Sequence, residues 1–323
     1  MKTNSFLLAA IGFVIFGLLT PVAGQEFPTK PVRFVVPFPP GGATDIVGRL
    51  VGARMQEVWK SQPVIVENRP GAGTVVATEY VARSAPDGHM LGFVVTAHVI
   101  NPSLRSSMPY DTLKDLAAVT QVSTQHLVMA VHPSVEARNI AELIALAKKQ
   151  PGKLSYATPG SGTAMHLSVE LLKNAAGIDL VHVPYKGGAP ALQDVLGGRV
   201  PILMDVLYAV QPQIKSGRIR VIGLLSPQRD PANPELPVIA ETVPSVSAVS
   251  IVGIVAAGGT PPALVRRISA DLAAAIRGSD LTEKMTQQGM VPVGSSPEEF
   301  DAFIRAEIEK WSKVVKASGA KVD

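Results

Sequence analysis

The sequence predicts an α/β fold of mixed, mostly parallel sheets, and three observations predict it. Short β-branched runs alternate with amphipathic helical segments along nearly the whole chain. The connections are short and rich in Gly and Pro, as turns between strands and helices require. The composition is that of a globular chain, with 46% hydrophobic and 17% charged residues across 323 positions.

The chain opens on a secretory-signal pattern. Lys2 gives the positive start, residues 6–19 form an almost unbroken apolar run, Pro21 breaks it, and Val22-Ala23-Gly24 offers small residues for cleavage. The run is short for a membrane span, and no stop-transfer charges follow it. Residues 1–24 are expected to be a signal peptide cleaved near Gly24 on export to the periplasm, which leaves 323 − 24, about 299 residues. Gln25 rather than Cys would then come first, so no lipid anchor is expected.

Residues 32–36, 64–66, 90–95, 127–131, 154–157, 180–183, 202–204, 221–225 and 250–256 read as buried strands. Between several of them lie helices. Ile46, Val47, Leu50, Val51, Met55 and Val58 recur at helical spacing, with Thr44 or Asp45 as the cap. Asn139 caps another helix, with Glu142 three residues on. Thr260-Pro261 starts a third through Leu264, Val265, Ile268, Leu272 and Ile276, and Gly278 suits its end. Ser296, Pro297 and Glu299 open the last, whose apolar face is Phe300, Phe303, Ile304, Ile308, Trp311 and Val315.

Two segments share one plan of strand, Pro/Gly turn and helix start. One runs over residues 35–45 and the other over residues 154–166. In open α/β sheets ligands bind beyond the carboxyl ends of strands, against helix N-termini. The first helical N–H groups have no intrahelical partner and sit at the positive end of the macrodipole. Such a turn can hold an anion without a charged side chain. Either turn alone also suits a tight βα connection; their repetition favours a binding role. The candidate ligand-binding residues are Phe38, Gly41, Gly42, Thr44 and Asp45 from the first, and Thr158, Gly160, Ser161, Gly162, Thr163 and His166 from the second. Thr96 ends one strand. Asp205 ends another, and it suits the ligand or the cap of a helix from Leu207 equally well.

Other chemistries lack their residues. The net charge is +4 with basic residues scattered, which does not argue for nucleic acid. The chain has no cysteine, so disulfides, thiol catalysis and Cys-ligated metals are excluded. Gly71-Ala72-Gly73 begins like a dinucleotide fingerprint, but Val76 stands at its sixth position. Pro159 stands where a nucleophile elbow needs glycine, and His182 with Asp179 lacks a third metal ligand. No enzyme, cofactor or metal is expected.

The sequence resembles the substrate-binding receptors of tripartite tricarboxylate transporters, the Bug receptor family. The matching pieces run in order from about residue 28 to 311: Lys30-Pro31-Val32-Arg33 through Pro40 to Asp45, then Val66-Glu67-Asn68-Arg69-Pro70-Gly71-Ala72-Gly73, and Ala85-Pro86-Asp87-Gly88. Asn101-Pro102, Pro109-Tyr110-Asp111, Ser155-Tyr156 through Gly162-Thr163, His166-Leu167, His182-Val183-Pro184-Tyr185-Lys186-Gly187, Thr260-Pro261-Pro262 and Glu299-Phe300 continue it. Thr74, Ala77 and His89 depart from the family pattern and leave its framework intact.

The resemblance implies a type II periplasmic binding protein fold, with two α/β lobes joined by a double-crossover hinge. Lobe 1 would be residues 25–125 plus 250–323, and lobe 2 residues 126–249, with the two turns facing each other across the cleft. It implies a monomer that binds a small organic mono- or dicarboxylate for the membrane permease subunits of such a transporter. A ligand-sensing receptor that signals through a sensor kinase would use the same closure.

Overall fold

The computed structural model describes residues 27–320 apart from residue 288. The expected signal peptide, residues 1–24, lies outside the described residues. The elements alternate as expected. In order they are β1 (Val32–Val36), α1 (Ala43–Val58), β2 (Val64–Asn68), α2 (Val75–Ala82), β3 (Met90–Val95), α3 (Ala97–Leu104), β4 (Leu116–Val131) and α4 (Ile140–Lys149). They continue with β5 (Ser155–Thr158), α5 (Ala164–Ala176), β6 (Val181–Pro184), α6 (Gly188–Leu196), β7 (Ile202–Val206), α7 (Leu207–Lys215) and β8 (Arg220–Leu224). The last are β9 (Val249–Ala257), α8 (Pro262–Arg277), α9 (Ser279–Gln287), β10 (Met290–Pro292) and α10 (Pro297–Ser318).

Strand pairing follows one path, β2-β1-β3-β9-β4-β7-β5-β6, with β10 and β8 also pairing with β4. The arms are parallel: β1 with β2 and β3, and β5 with β6 and β7. Every antiparallel ladder among the described residues involves β4 or β9. Parallel pairing therefore describes the arms, where helices cross over between strands, and the middle of the path is antiparallel.

β4 is far longer than the expected 127–131. Its first part, residues 116–126, alternates less cleanly because Thr120, Gln121, Ser123 and Gln125 are buried polar residues. Tertiary partners satisfy some of them: the Thr120 hydroxyl donates to the Ser295 carbonyl at 2.7 Å, and the Gln121 amide donates to Ser295 Oγ at 2.9 Å. Along residues 116–126 β4 pairs with β9, and along 127–131 it pairs with β7. The short strand β10 was not expected; it exists by pairing with β4 at residues 123–125.

Capping follows the sequence at two helices and departs from it at two. Asn139 accepts from the Glu142 amide, and Ser296 with Glu299 forms a complete capping box. Helix α8 starts at Pro262, with Pro261 rather than Thr260 at the cap. At α1 the cap is Gly42, not Thr44 or Asp45, and no side chain caps it. The reason is local. Gly41, at φ +82°, turns the chain early, and the Asp45 carboxylate reaches back to accept from the Gly41 amide at 2.8 Å.

Candidate ligand-binding site

Register decides where the turns point. On one side Val95 lies opposite Val252, and Val252 opposite Ser123. β1 runs parallel to β3, so the carboxyl ends of both arrive near residue 123 of β4. On the other side Asp205 lies opposite Val128 and Val206 opposite Leu127, with β5 parallel to β7. The carboxyl ends of β1, β3, β5 and β7 thus converge from opposite directions on residues 123–128 of β4. The topology delivers both glycine-rich turns, Thr96 and Asp205 to that level.

The first turn is knotted around a carboxylate. Asp45 is 2% exposed and accepts from Gly41 N and from Arg49 Nε at 2.9 Å through one oxygen, and from Asn68 Nδ2 at 2.8 Å through the other. Asn68 Nδ2 also donates to the Phe38 carbonyl at 2.9 Å, which fixes the turn to β2. Burial pushes the Asp45 carboxyl up, but Arg49, the Gly41 amide and Asn68 outweigh it and hold it below its ordinary value. Asp45 is therefore an organiser of the turn, with its oxygens spent on the protein. Thr44 is buried in the first helical turn and Phe38 half-buried. A Cβ on Gly41 would meet nothing within 4 Å, and one on Gly42 would meet only the Pro39 carbonyl at 3.5 Å. The backbone here lies open to an approaching group.

The second turn is tied by hydroxyls and imidazoles. Thr163 is the cap of α5; its hydroxyl donates to the Gly160 carbonyl at 2.8 Å and accepts from the His166 amide at 3.3 Å. His166 Nδ1 accepts from the Gly162 amide at 3.1 Å, across a turn where Gly162 sits at φ +73°. Thr158 is buried, and its hydroxyl lies 2.7 Å from His182 Nε2. The His166 and His182 rings stack with centroids 4.0 Å apart, and the Tyr156 ring also stacks against His182, at 4.9 Å. Burial pushes His182 down to about 3, with His166 and Lys173 adding to it, and burial also lowers His166. Both imidazoles are neutral at pH 7, which leaves His166 Nδ1 free to accept. Ser161 is exposed at the tip, and Gly160 is half-buried under the Tyr185 carbonyl.

Thr96 and Asp205 complete the candidates. Thr96 is buried, and its hydroxyl oxygen accepts from the Ile251 amide at 3.0 Å. Asp205 lies within β7 rather than past its end, is 4% exposed, and among the described residues accepts only from its neighbour's amide, Val206 N, at 2.8 Å. It does not cap α7, which starts at Leu207 without a side-chain cap. Burial pushes its carboxyl up to about 7, against the Val206 amide that lowers it. Asn68 and His182 are organising residues that patterns along the chain did not single out for these roles. Asn68 stands in the Glu67-Asn68-Arg69 stretch that carried the resemblance, which was its available signal.

In sequence and overall fold the chain is similar to known receptors. The family described as "Tripartite tricarboxylate transporter family receptor" matches residues 47–320. Protein BugT of Bordetella pertussis is 35% identical over 321 residues, covering 98% of each chain. The solved structure of Rpa4515 of R. palustris with adipate is 34% identical, with a TM-score of 0.86 over 92% of this chain and 100% of that one. MatC from Rhodopseudomonas palustris with bound malate is 28% identical, with a TM-score of 0.81 over 90% of this chain and 100% of that one. Fold and sequence agree across nearly the whole described length.

Proposed function

We propose a role for this chain from one premise: it belongs to the tripartite tricarboxylate transporter receptor family. It is a periplasmic solute-binding protein. It takes a small organic mono- or dicarboxylate between its two glycine-rich turns, closes over it, and delivers it to the membrane permease of a tripartite transporter. It acts as a monomer without chemistry of its own, after export directed by residues 1–24. The lobes are residues 25–125 plus 250–323, and 126–249. The change of partner along β4 between His126 and Leu127 supports that division.

The observation that carries this reading is the convergence of two helix N-termini on one level of β4. The amide groups of the first turns of α1 and α5 supply donors and a favourable dipole there, and no lysine or arginine is needed. The thermal-shift test uses protein unfolded and refolded to strip retained ligand. A bound carboxylate at about 100 times its Kd stabilises by roughly 2.7 kcal/mol, and each kcal/mol raises Tm by about 2–4 °C at this size. Shifts from carboxylates and none from sugars or polyamines are expected. The reverse pattern would end this reading.

A further inference from the structure

A row of polar side chains crosses the sheet at the level where the turns converge. Ser250 of β9 lies directly opposite Gln125 of β4, so the two share a face, and Ser123 lies two residues earlier on that same face. On the other edge of β4, Met290 of β10 lies opposite Gln125 and Pro292 opposite Ser123. Gly289, just before β10, packs on Tyr208 at the start of α7, where an added Cβ would come within 3.1 Å of the tyrosine Cβ. Ser250, Gln125 and Ser123 therefore share one face of the sheet, and Tyr208, two residues past the end of β7, adjoins that level through Gly289.

These side chains are buried and short of partners. Ser123 is 0%, Gln125 4% and Tyr208 8% exposed. Ser123 Oγ, Gln125 Nε2 and the Tyr208 hydroxyl have no hydrogen-bond partner among the described residues. Buried polar groups in folded proteins are paired almost without exception, so three such groups at this level of the sheet need a reason. Each can donate: a hydroxyl, an amide and a phenol. Burial, with the nearby Asp205 adding to it, keeps the Tyr208 phenol well above its ordinary value and therefore protonated. At the far end the Thr96 hydroxyl lies 3.5 Å from Ser250 Oγ.

We infer that Ser123, Gln125 and Tyr208, with Ser250 beside them, read the far end of the bound acid and select acids that carry a second hydrogen-bond acceptor there. The inference rests on the carboxylate-receptor reading and adds which residues discriminate within that class. The helix N-termini hold one carboxylate, and the row donates to a second carboxylate or carbonyl. Simple monocarboxylates leave the row unpaired and bind more weakly.

Calorimetry on the full mature chain, refolded free of ligand, tests this with adipate and hexanoate, six-carbon acids that differ by one carboxylate. The wild type is expected to prefer adipate by tenfold or more. Gln125→Leu and Tyr208→Phe are each expected to cut the adipate-to-hexanoate preference about tenfold. Tyr208→Phe keeps the volume of the side chain, so it reports on the hydroxyl even where Gln125→Leu fails to fold. No preference in the wild type, or a preference that survives both substitutions, overturns the inference and leaves carboxylate binding standing. A wild type that binds no carboxylate in a broad panel overturns the receptor reading and this inference with it.

Discussion

At the start of α1 the cap is Gly42, which has no side chain to offer, and the turn before it closes on the ionised carboxylate of Asp45. At the start of α5 the cap is Thr163, which occupies the His166 amide, and the turn closes on the neutral imidazole of His166. The plan along the chain is the same, but the first turn is held by a charge and the second by an uncharged acceptor. The first leaves the helix amides uncapped for an incoming anion; the second spends one of them. The first turn thus leaves more of its helix amides without a side-chain partner, and the second is the one sensitive to mild acid.

Acid should separate the two most widely. His182 has its folded pKa pushed down to about 3 from 6.5, so its contribution to stability is present above 6.5 and is lost as pH falls toward 3. The total is on the order of 4 kcal/mol, of which about 2 kcal/mol falls between pH 6.5 and 5. Urea denaturation across that range should show His182→Gln losing correspondingly less stability than the wild type. Equal slopes would mean that the stacked imidazoles do not govern the second turn.

Glycine substitutions test the backbone approach itself. Gly42 sits at φ −80° with room for a Cβ, so Gly42→Val should fold with a near-normal Tm yet lose carboxylate affinity by about hundredfold, or ~2.7 kcal/mol. Gly162→Val should lose affinity and also about 1–2 kcal/mol of stability, because Gly162 is at φ +73°. Calorimetry and thermal melts on the pair distinguish a blocked ligand from a strained turn. Asp45→Asn should cost about 1.5–3 kcal/mol at pH 7, since it removes the charge that Arg49, Gly41 and Asn68 bind. Its folded pKa is lowered, so that stability is present above 3.8 and lost as pH falls through the folded value; the gap between Asp45→Asn and wild type should close there.

The smallest effects concern side chains at the rim. Thr163→Ala should cost about 1 kcal/mol of stability through the lost cap, measured by denaturant titration. Lys186 is exposed, and Lys186→Ala should change neither stability nor carboxylate affinity by more than about 0.5 kcal/mol. A large loss of binding in Lys186→Ala would make a side-chain cation the anchor in place of the helix amides.

Much of this was legible along the chain. Residues 32–36 and 90–95 form strands over the same bounds as read from their apolar runs, and Asn139 and Ser296 cap the helices that their spacing announced. Both turns were visible because Gly and Pro between a strand and an amphipathic helix have few other uses. The residues that organise them were harder to see. Asp45 reads as a ligand contact or a cap until Arg49 and Asn68 are placed around it, and Asp205 reads as a strand end until β7 extends to Val206.

The sequence by itself determined most of the elements and the two glycine-rich helix starts, because periodicity, capping and turn chemistry act between residues a few positions apart. The tertiary structure decided what depends on register. It drew residues 116–126 into β4, brought Ser250 opposite Gln125, and stacked His166 on His182. It also buried Asp205 far enough to push its carboxyl up to about 7. Those outcomes rest on long-range pairing and desolvation, which no local pattern encodes: a polar residue in a chain reads the same until its neighbours in space settle whether water reaches it.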